Sequence, residues 1–233
     1  MRFLSHFFKR FNQEPKLPTA ANDIGEYSTN FVIASAFTAS CGFSRIPVDW
    51  KEGSVLDVDG SQIASVMRVA GIPDASKSAA QCLKWCHFLA PIFEKQLGCR
   101  VWVTIGQVWK GDAKIYGPTW GDIKRWSAEG IQLEAMTTSV GFDLHAWLTV
   151  ETGEIIDPTY LSTLAATLGG PYSQFAGVVI WGREETLMEG HRYFPMAIGN
   201  ELVESIAAKS CVPLLAARVE ELFVYAALLE PIP

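Results

Sequence analysis

Apolar and polar positions follow two different periods along this chain. In DVDGSQIASVMRVAGIP they recur at helical spacing: Ile63, Val66, Met67 and Ala70 share one face, Ser61 is a candidate N-cap, and Gly71 with Pro73 ends the element. DASKSAAQCLKWCHFLAPIFEKQLG predicts a longer helix with Leu83, Cys86, Leu89 and Phe93 as its core stripe, Ser76 or Ser78 as cap and Gly98 as stop. Pro91 inside it predicts a kink or a split, because it removes a backbone donor. After Gly98 the period falls to two. CRVWVTIGQVWK sets Val101, Val103 and Ile105 opposite Trp102 and Thr104, and residues 142 to 150 set Phe142, Leu144, Ala146, Leu148 and Val150 opposite Asp143, His145, Trp147 and Thr149. A short strand is expected at 154–157, a helix over LSTLAATLGG, strands over FAGVVIW and RYFPMAI, and helices over GDIKRWSAEG, NELVESIAAK and AARVEELFVYAALL. TNFVIASAFTAS fits a strand or a buried helix. Helices first and a mostly consecutive run of strands afterwards predict an α+β fold, with an antiparallel sheet packed on helices.

The N-terminus reads differently. In MRFLSHFFKRF, Phe3, Leu4, Phe7, Phe8 and Phe11 recur at helical spacing beside Arg2, Lys9 and Arg10. There is no continuous apolar core and no small-residue cleavage site, so a secretory signal is not expected. Membrane contact through residues 1–12 is one reading; the preferred one is a terminal helix that packs on the domain or a partner, or a poorly ordered end. NQEPKLPTAAND has the composition of a linker. The expected organisation is therefore an amphipathic segment and linker over 1–22 and a single domain over 23–233.

Composition narrows the function classes. The 233 residues are 49% hydrophobic and 19% charged, a core-forming balance, and the net charge of −6 argues against nucleic-acid binding, which needs clustered Lys and Arg. The five cysteines are odd in number and scattered, so reduced thiols in a cytoplasm are expected rather than a disulfide framework. Cys82 and Cys86 are not spaced as CxxC and no second metal-type pair follows, so no metal is expected; His87 or His145 would have to be brought in from afar. Asp57-Val58-Asp59-Gly60 opens like a calcium loop but lacks the later ligands and the closing Glu, and reads as a turn and cap. There is no glycine loop to cradle a phosphate, and no cofactor is expected.

One set of residues does carry chemistry. Cys82 lies in or just after the first turn of its helix, where the helix N-terminus and a neighbouring imidazolium both favour a thiolate. His145 stands on a strand and Asp157 on the returning strand of a hairpin. Thiol, imidazole and orienting carboxylate are the three parts of nucleophilic acyl transfer. Register decides whether they can meet. A two-residue loop at Thr152-Gly153 would pair Leu148 with Asp157 and turn Asp157 away from His145. A three-residue loop over Glu151, Thr152 and Gly153 pairs Trp147 with Asp157, which then lies diagonal to His145 at about 7–8 Å between Cα atoms, within reach of a hydrogen bond. Gly153 favours that loop, since its third position is the glycine of a G1 bulge.

HAWLTVETGEIIDPT resembles the His-and-Asp hairpin of transglutaminase-like (papain-like) cysteine enzymes, and QCLKWCHFLAPIFEKQLGCRVWVTIGQV resembles their preceding block, in which a Cys opens a core helix. The likeness covers roughly residues 80 to 160 in the family order Cys, His, Asp, and extends to the cysteine proteases that mature lasso peptides. It implies a core in which the Cys-bearing helix packs on an antiparallel sheet bearing His and Asp. It also implies Cys82 as nucleophile, His145 as general base and acid, and Asp157 as orienter, acting on a peptide or protein substrate as a peptidase, amidase, deamidase or transglutaminase-like enzyme. The Cys82 N–H is an expected oxyanion donor, with Gln81 or another side chain as a second donor and Trp147 beside the substrate. The alternative is a catalytically silent binding or scaffold protein of the same fold.

Overall fold

The computed structural model describes residues 14–132 and 143–224. The amphipathic run at 1–13, Phe142 and the end of the C-terminal helical pattern beyond Val224 lie outside the described residues. The remainder is an α+β fold: helices α1 (Tyr27–Ser40), α2 (Ser61–Val69), α3 (Cys82–Leu97), α4 (Trp120–Glu129), α5 (Tyr160–Leu168) and α6 (Asn200–Lys209), with a six-stranded sheet of β1 (Val101–Lys110), β2 (Ala113–Tyr116), β3 (His145–Val150), β4 (Ile155–Asp157), β5 (Ile180–Gly182) and β6 (His191–Ile198).

Every strand pairing is antiparallel. β1 is the hub. β3 pairs with its residues 101–106 and β2 with 108–110, while β6 pairs with 104–110. A strand has only two edges, so β2 and β3 lie end to end along one of them and β6 takes the other. This arrangement brings Tyr116 at the end of β2 beside His145 at the start of β3.

Helices cover both faces of the sheet around its centre, so β1 and β3 are buried on both sides, while β2 at the rim is largely exposed. Val101, Val103, Ile105 and Trp109 of β1, with Leu144, Ala146, Leu148 and Val150 around β3, face the core built on α2, α3, α4 and α6. Trp102, Val108, Trp147, Tyr193 and Ile198 face a second cluster with Tyr27, Phe31 and Ala34 of α1 and with Tyr160 and Leu161 of α5. The period-two faces expected for β1 and β3 are therefore present. TNFVIASAFTAS is helical, since its small and apolar residues fill the second layer.

Several expected boundaries move. Ser61 does not cap α2: Gly60 is the N-cap, at φ 71°, and Asp59 takes the Ser61 N–H at 3.0 Å. Ser76 and Ser78 belong to a separate 3-10 turn capped by Asp74, and the α-helix starts later, at Cys82. Pro91 does not split α3, which runs unbroken from Cys82 to Leu97 with the proline exposed on its solvent side. AARVEELFVYAALL forms a 3-10 turn at Val219–Phe223 within its described part. Its carbonyls are diverted from a helical ladder: Lys84 Nζ donates to Val224 O at 2.8 Å and Glu221 O at 3.4 Å, and Gln81 Nε2 to Leu222 O at 3.2 Å. The strand over FAGVVIW shrinks to Ile180–Gly182, and β2 stands where the sequence pattern predicts no element. Packing also begins inside the expected linker, for Ala21 is buried and Leu17 packs against the same cluster.

β1 and β6 come unusually close at Gly106. A bulge after Ile105 adds Met196 to β6, and Pro195, which has no N–H to give the ladder, sits opposite Gly106. A Cβ on Gly106 would meet Phe194 O at 2.1 Å and the Trp147 ring at 2.8 Å. Because the nearer atom is backbone, no rotamer change relieves it. Gly106→Ala is expected to cost at least about 2–3 kcal/mol, read as a lower urea midpoint at unchanged m-value; a midpoint within error of the parent would contradict this packing.

Candidate active site

The hairpin adopts the register of the three-residue loop. Leu148 pairs with Ile156 and Thr149 with Ile155, which sets Trp147 opposite Asp157 and leaves Asp157 diagonal to His145. Gly153 turns the chain at φ 83°, and its N–H returns to Val150 O at 2.8 Å. The diagonal closes into a contact: His145 Nε2 donates to Asp157 Oδ2 at 2.6 Å, with both side chains essentially without solvent exposure.

β4 ends at Asp157, and Pro158 takes the chain off the sheet. The carbonyls of Ala146 and Leu144, on the β3 edge where β4 would have continued, are left without a strand partner. The start of α3 fills that gap. Cys86 Sγ donates to Ala146 O at 3.4 Å and Cys82 Sγ to Leu144 O at 3.7 Å. One turn of helix rises nearly as far as two residues of strand, so the two thiols follow the two carbonyls. Cys82 is the first residue of α3, where the helix cannot satisfy its own N–H groups. It is only partly buried, whereas Cys86 is fully buried and its thiol is pushed well above its ordinary value by that burial and then by the charges of Asp157 and Cys82. Cys86 is thus a packing residue and Cys82 the thiol of the site. Cys41, Cys99 and Cys211 are not among the thiols that meet β3, and His87 is engaged elsewhere, by Glu204 at 3.2 Å.

Asp157 has no exposure and is fully used. Tyr193 OH donates to Oδ2 at 3.0 Å beside the imidazole, while the N–H groups of Thr159 and Tyr160 reach Oδ1 at 3.0 Å each. Burial works to raise its pKa, but the imidazolium and these donors outweigh that and hold it below the ordinary carboxylate value. For His145, burial works to lower the pKa; the Asp157 charge and hydrogen bond, with a further contribution from Cys82, raise it instead to about 10. With Nε2 committed to Asp157, Nδ1 is the nitrogen left for the thiol.

Aromatic rings fix the imidazole plane. Tyr116 stacks on it at 4.7 Å between centroids and 16°, Trp147 lies at 6.1 Å, and Tyr160 stands edge-on at 5.9 Å. The sequence reading missed Tyr116, Tyr160 and Tyr193. Tyr160 directly follows the Asp-Pro-Thr corner and could have been found there; Tyr116 is hidden because the sequence pattern predicts no element over β2, and Tyr193 comes from a strand 36 residues beyond Asp157.

Two expected roles need correction. Gln81 is not placed as an oxyanion donor: its Nε2 is occupied by Lys77 O at 2.8 Å and Leu222 O at 3.2 Å, and its Oε1 is buried with no partner among the described residues. Its side chain ties the approach to α3 to the C-terminal turn. Trp147 does not border a substrate: it is fully buried, gives its indole N–H to Tyr27 OH at 2.8 Å, and packs between Gly106 and His145.

No family model, curated protein or solved structure matches the chain. What the site can do rests on its own atoms. Among the described residues, no group of three His, Cys, Asp or Glu side chains is arranged to hold a metal ion, and no helix is long and apolar enough to cross a membrane. The Asp57–Asp59 turn spends its carboxylates on Ser61.

The pair has a pH signature. His145 is raised in the folded state, from 6.5 to about 10, so its stabilising contribution is complete below pH 6.5 and is lost as pH climbs toward 10. Asp157 is depressed below 3.8, so its contribution is present above that value and is lost as pH falls through the lower folded one. Asp157→Asn is therefore expected to lower stability most between about pH 4 and 6.5 and to flatten the decline above it. Urea midpoints at pH 6 and pH 9 check this; an equal loss at both would refute the assignment.

Proposed function

We propose that the protein is a thiol-dependent acyl-transfer enzyme acting on an amide or peptide bond, with Cys82 as nucleophile, His145 as general acid and base, and Asp157 as orienter. The observation that carries the reading is the buried 2.6 Å His145–Asp157 contact at the point where a partly exposed cysteine opens a helix against the carbonyl next to that histidine. A transglutaminase-like, papain-like core with the Cys-bearing helix on an antiparallel sheet accords with this arrangement, and the five unpaired thiols accord with a reducing, cytoplasmic setting.

The chemistry balances without a cofactor. Cys82 thiolate attacks the carbonyl carbon, and the oxyanion that forms takes a hydrogen bond from the Cys82 N–H, unsatisfied at the helix start. Collapse breaks the C–N bond as the His145 imidazolium gives its proton to the leaving amine. The acyl group is then a thioester on Cys82. Water, deprotonated by the now neutral His145, releases a carboxylic acid in the peptidase, amidase and deamidase variants; an amine releases a new amide in the transglutaminase-like one. Asp157 keeps its charge throughout and holds Nε2–H, so that Nδ1 is the nitrogen that exchanges protons. A peptide or protein substrate supplies the carbonyl and the nitrogen that this mechanism requires.

The test is alkylation of Cys82 by iodoacetamide across pH, followed by peptide mass spectrometry, with exposed Cys211 as internal reference. Cys82 is expected to outpace Cys211 by about tenfold or more below pH 8, and His145→Ala to abolish the advantage. If Cys82 reacts no faster than Cys211, or ignores the loss of His145, the silent binding-protein reading replaces the enzyme.

A further inference from the structure

The corner that follows Asp157 also touches the chain that leads into Cys82. Ser78 Oγ, fully buried, donates to Pro158 O at 2.8 Å. Two residues on, Ala80 N donates to Thr163 Oγ1 at 2.9 Å, and that hydroxyl donates in turn to Thr159 O at 2.8 Å, the residue whose N–H holds Asp157. Ala80 itself is the sole non-glycine residue with positive φ among the described residues, at 53°. An alanine takes that conformation only against a steric cost, so its surroundings must impose it. From Ala80 the backbone turns through Gln81, at φ −125° and ψ 34°, and enters α3 at Cys82.

We propose that Thr163 is a positioning residue for Cys82: by accepting the Ala80 N–H it holds the left-handed turn that sets the thiol at the start of β3. The inference rests on the acyl-transfer reading of the site. One structural corner then locates both halves of the machinery, the imidazole through Asp157 and the thiol through Thr163. Thr163 makes no hydrogen bond to the Cys82 thiol, so it acts on that thiol through the turn it holds; its hydroxyl also acts on Tyr116, which stacks on the imidazole. A displacement on the order of 1 Å at a nucleophile costs as much as about a hundredfold in rate, so the loss of one hydroxyl should be felt at Cys82 out of proportion to its effect on stability.

The experiment measures the pH profile of Cys82 alkylation and the thermal midpoint for the parent, Thr163→Val and Thr163→Ser. The valine keeps the shape and loses the acceptor; the serine keeps the acceptor. Thr163→Val is expected to lose about tenfold or more of the Cys82 rate at pH 6.5, while Thr163→Ser stays within about twofold of the parent and the two variants unfold at similar temperatures. If Thr163→Val does not fold, Thr163→Ala against Thr163→Ser makes the same comparison. A parent-like rate in the variant without a hydroxyl, or an equal loss in the serine variant, overturns the positioning role while leaving the acyl-transfer reading intact. A parent Cys82 that is no more reactive than Cys211 overturns both, and the parent profile alone distinguishes that case.

Discussion

A carboxylate with no contact to water must be satisfied by the protein or it cannot stay charged. Asp157 is such a group, and much of the structure is arranged around it. Its two oxygens take the imidazole of β3, the phenol of β6 and two amides from the first residues after β4. Those donors come from elements that are far apart in the chain, so the hydrogen bonds on one side chain tie the hairpin, the sixth strand and the start of α5 together. The imidazole is oriented as a by-product of this accounting. Its raised pKa follows from the same fact, since a charge that is expensive to bury becomes favourable when an opposite one is already there.

The second constraint is the way β4 stops. Had it continued, the carbonyls of Leu144 and Ala146 would be paired with another strand and α3 would have no place to begin. Because it turns away at Pro158, a helix N-terminus meets the sheet edge and brings a thiol to the start of β3. Gly106 supports this from behind: by lacking a side chain it admits Trp147 and the β6 bulge, and Trp147 backs the imidazole. The tight packing at Gly106 and the placement of His145 are thus two aspects of one contact.

How much of this the amino-acid sequence reveals depends on how local the cause is. Faces of β1 and β3 are legible because the side-chain period of a strand is fixed, and the hairpin register is legible because a glycine at its third loop position selects one turn. The α+β class follows from the order of these patterns. Helix starts are less legible: Ser61, Ser76 and Ser78 all have capping chemistry, and the choice between them and Gly60 or Gln81 is made by Asp57, Asp59 and the contacts of the following layer. Gln81 and Trp147 show the same limit. Each is adjacent to or near a site residue in sequence, yet each is committed to a distant partner, Leu222 and Tyr27, that no local pattern announces. Tyr193 lies beyond local reasoning altogether, as its phenol arrives through a sheet pairing.

The three residues between β3 and β4 act as a ruler. Side chains along the hairpin can be exchanged one at a time, each with a small and local effect, but the number of residues between Val150 and Glu154 cannot change by one without turning Asp157 to the opposite face of the sheet. Descent with modification is therefore constrained here in length more than in composition. A single in-frame codon gained or lost at this bend would part Asp157 from His145 while leaving nearly every side chain of the protein as it was.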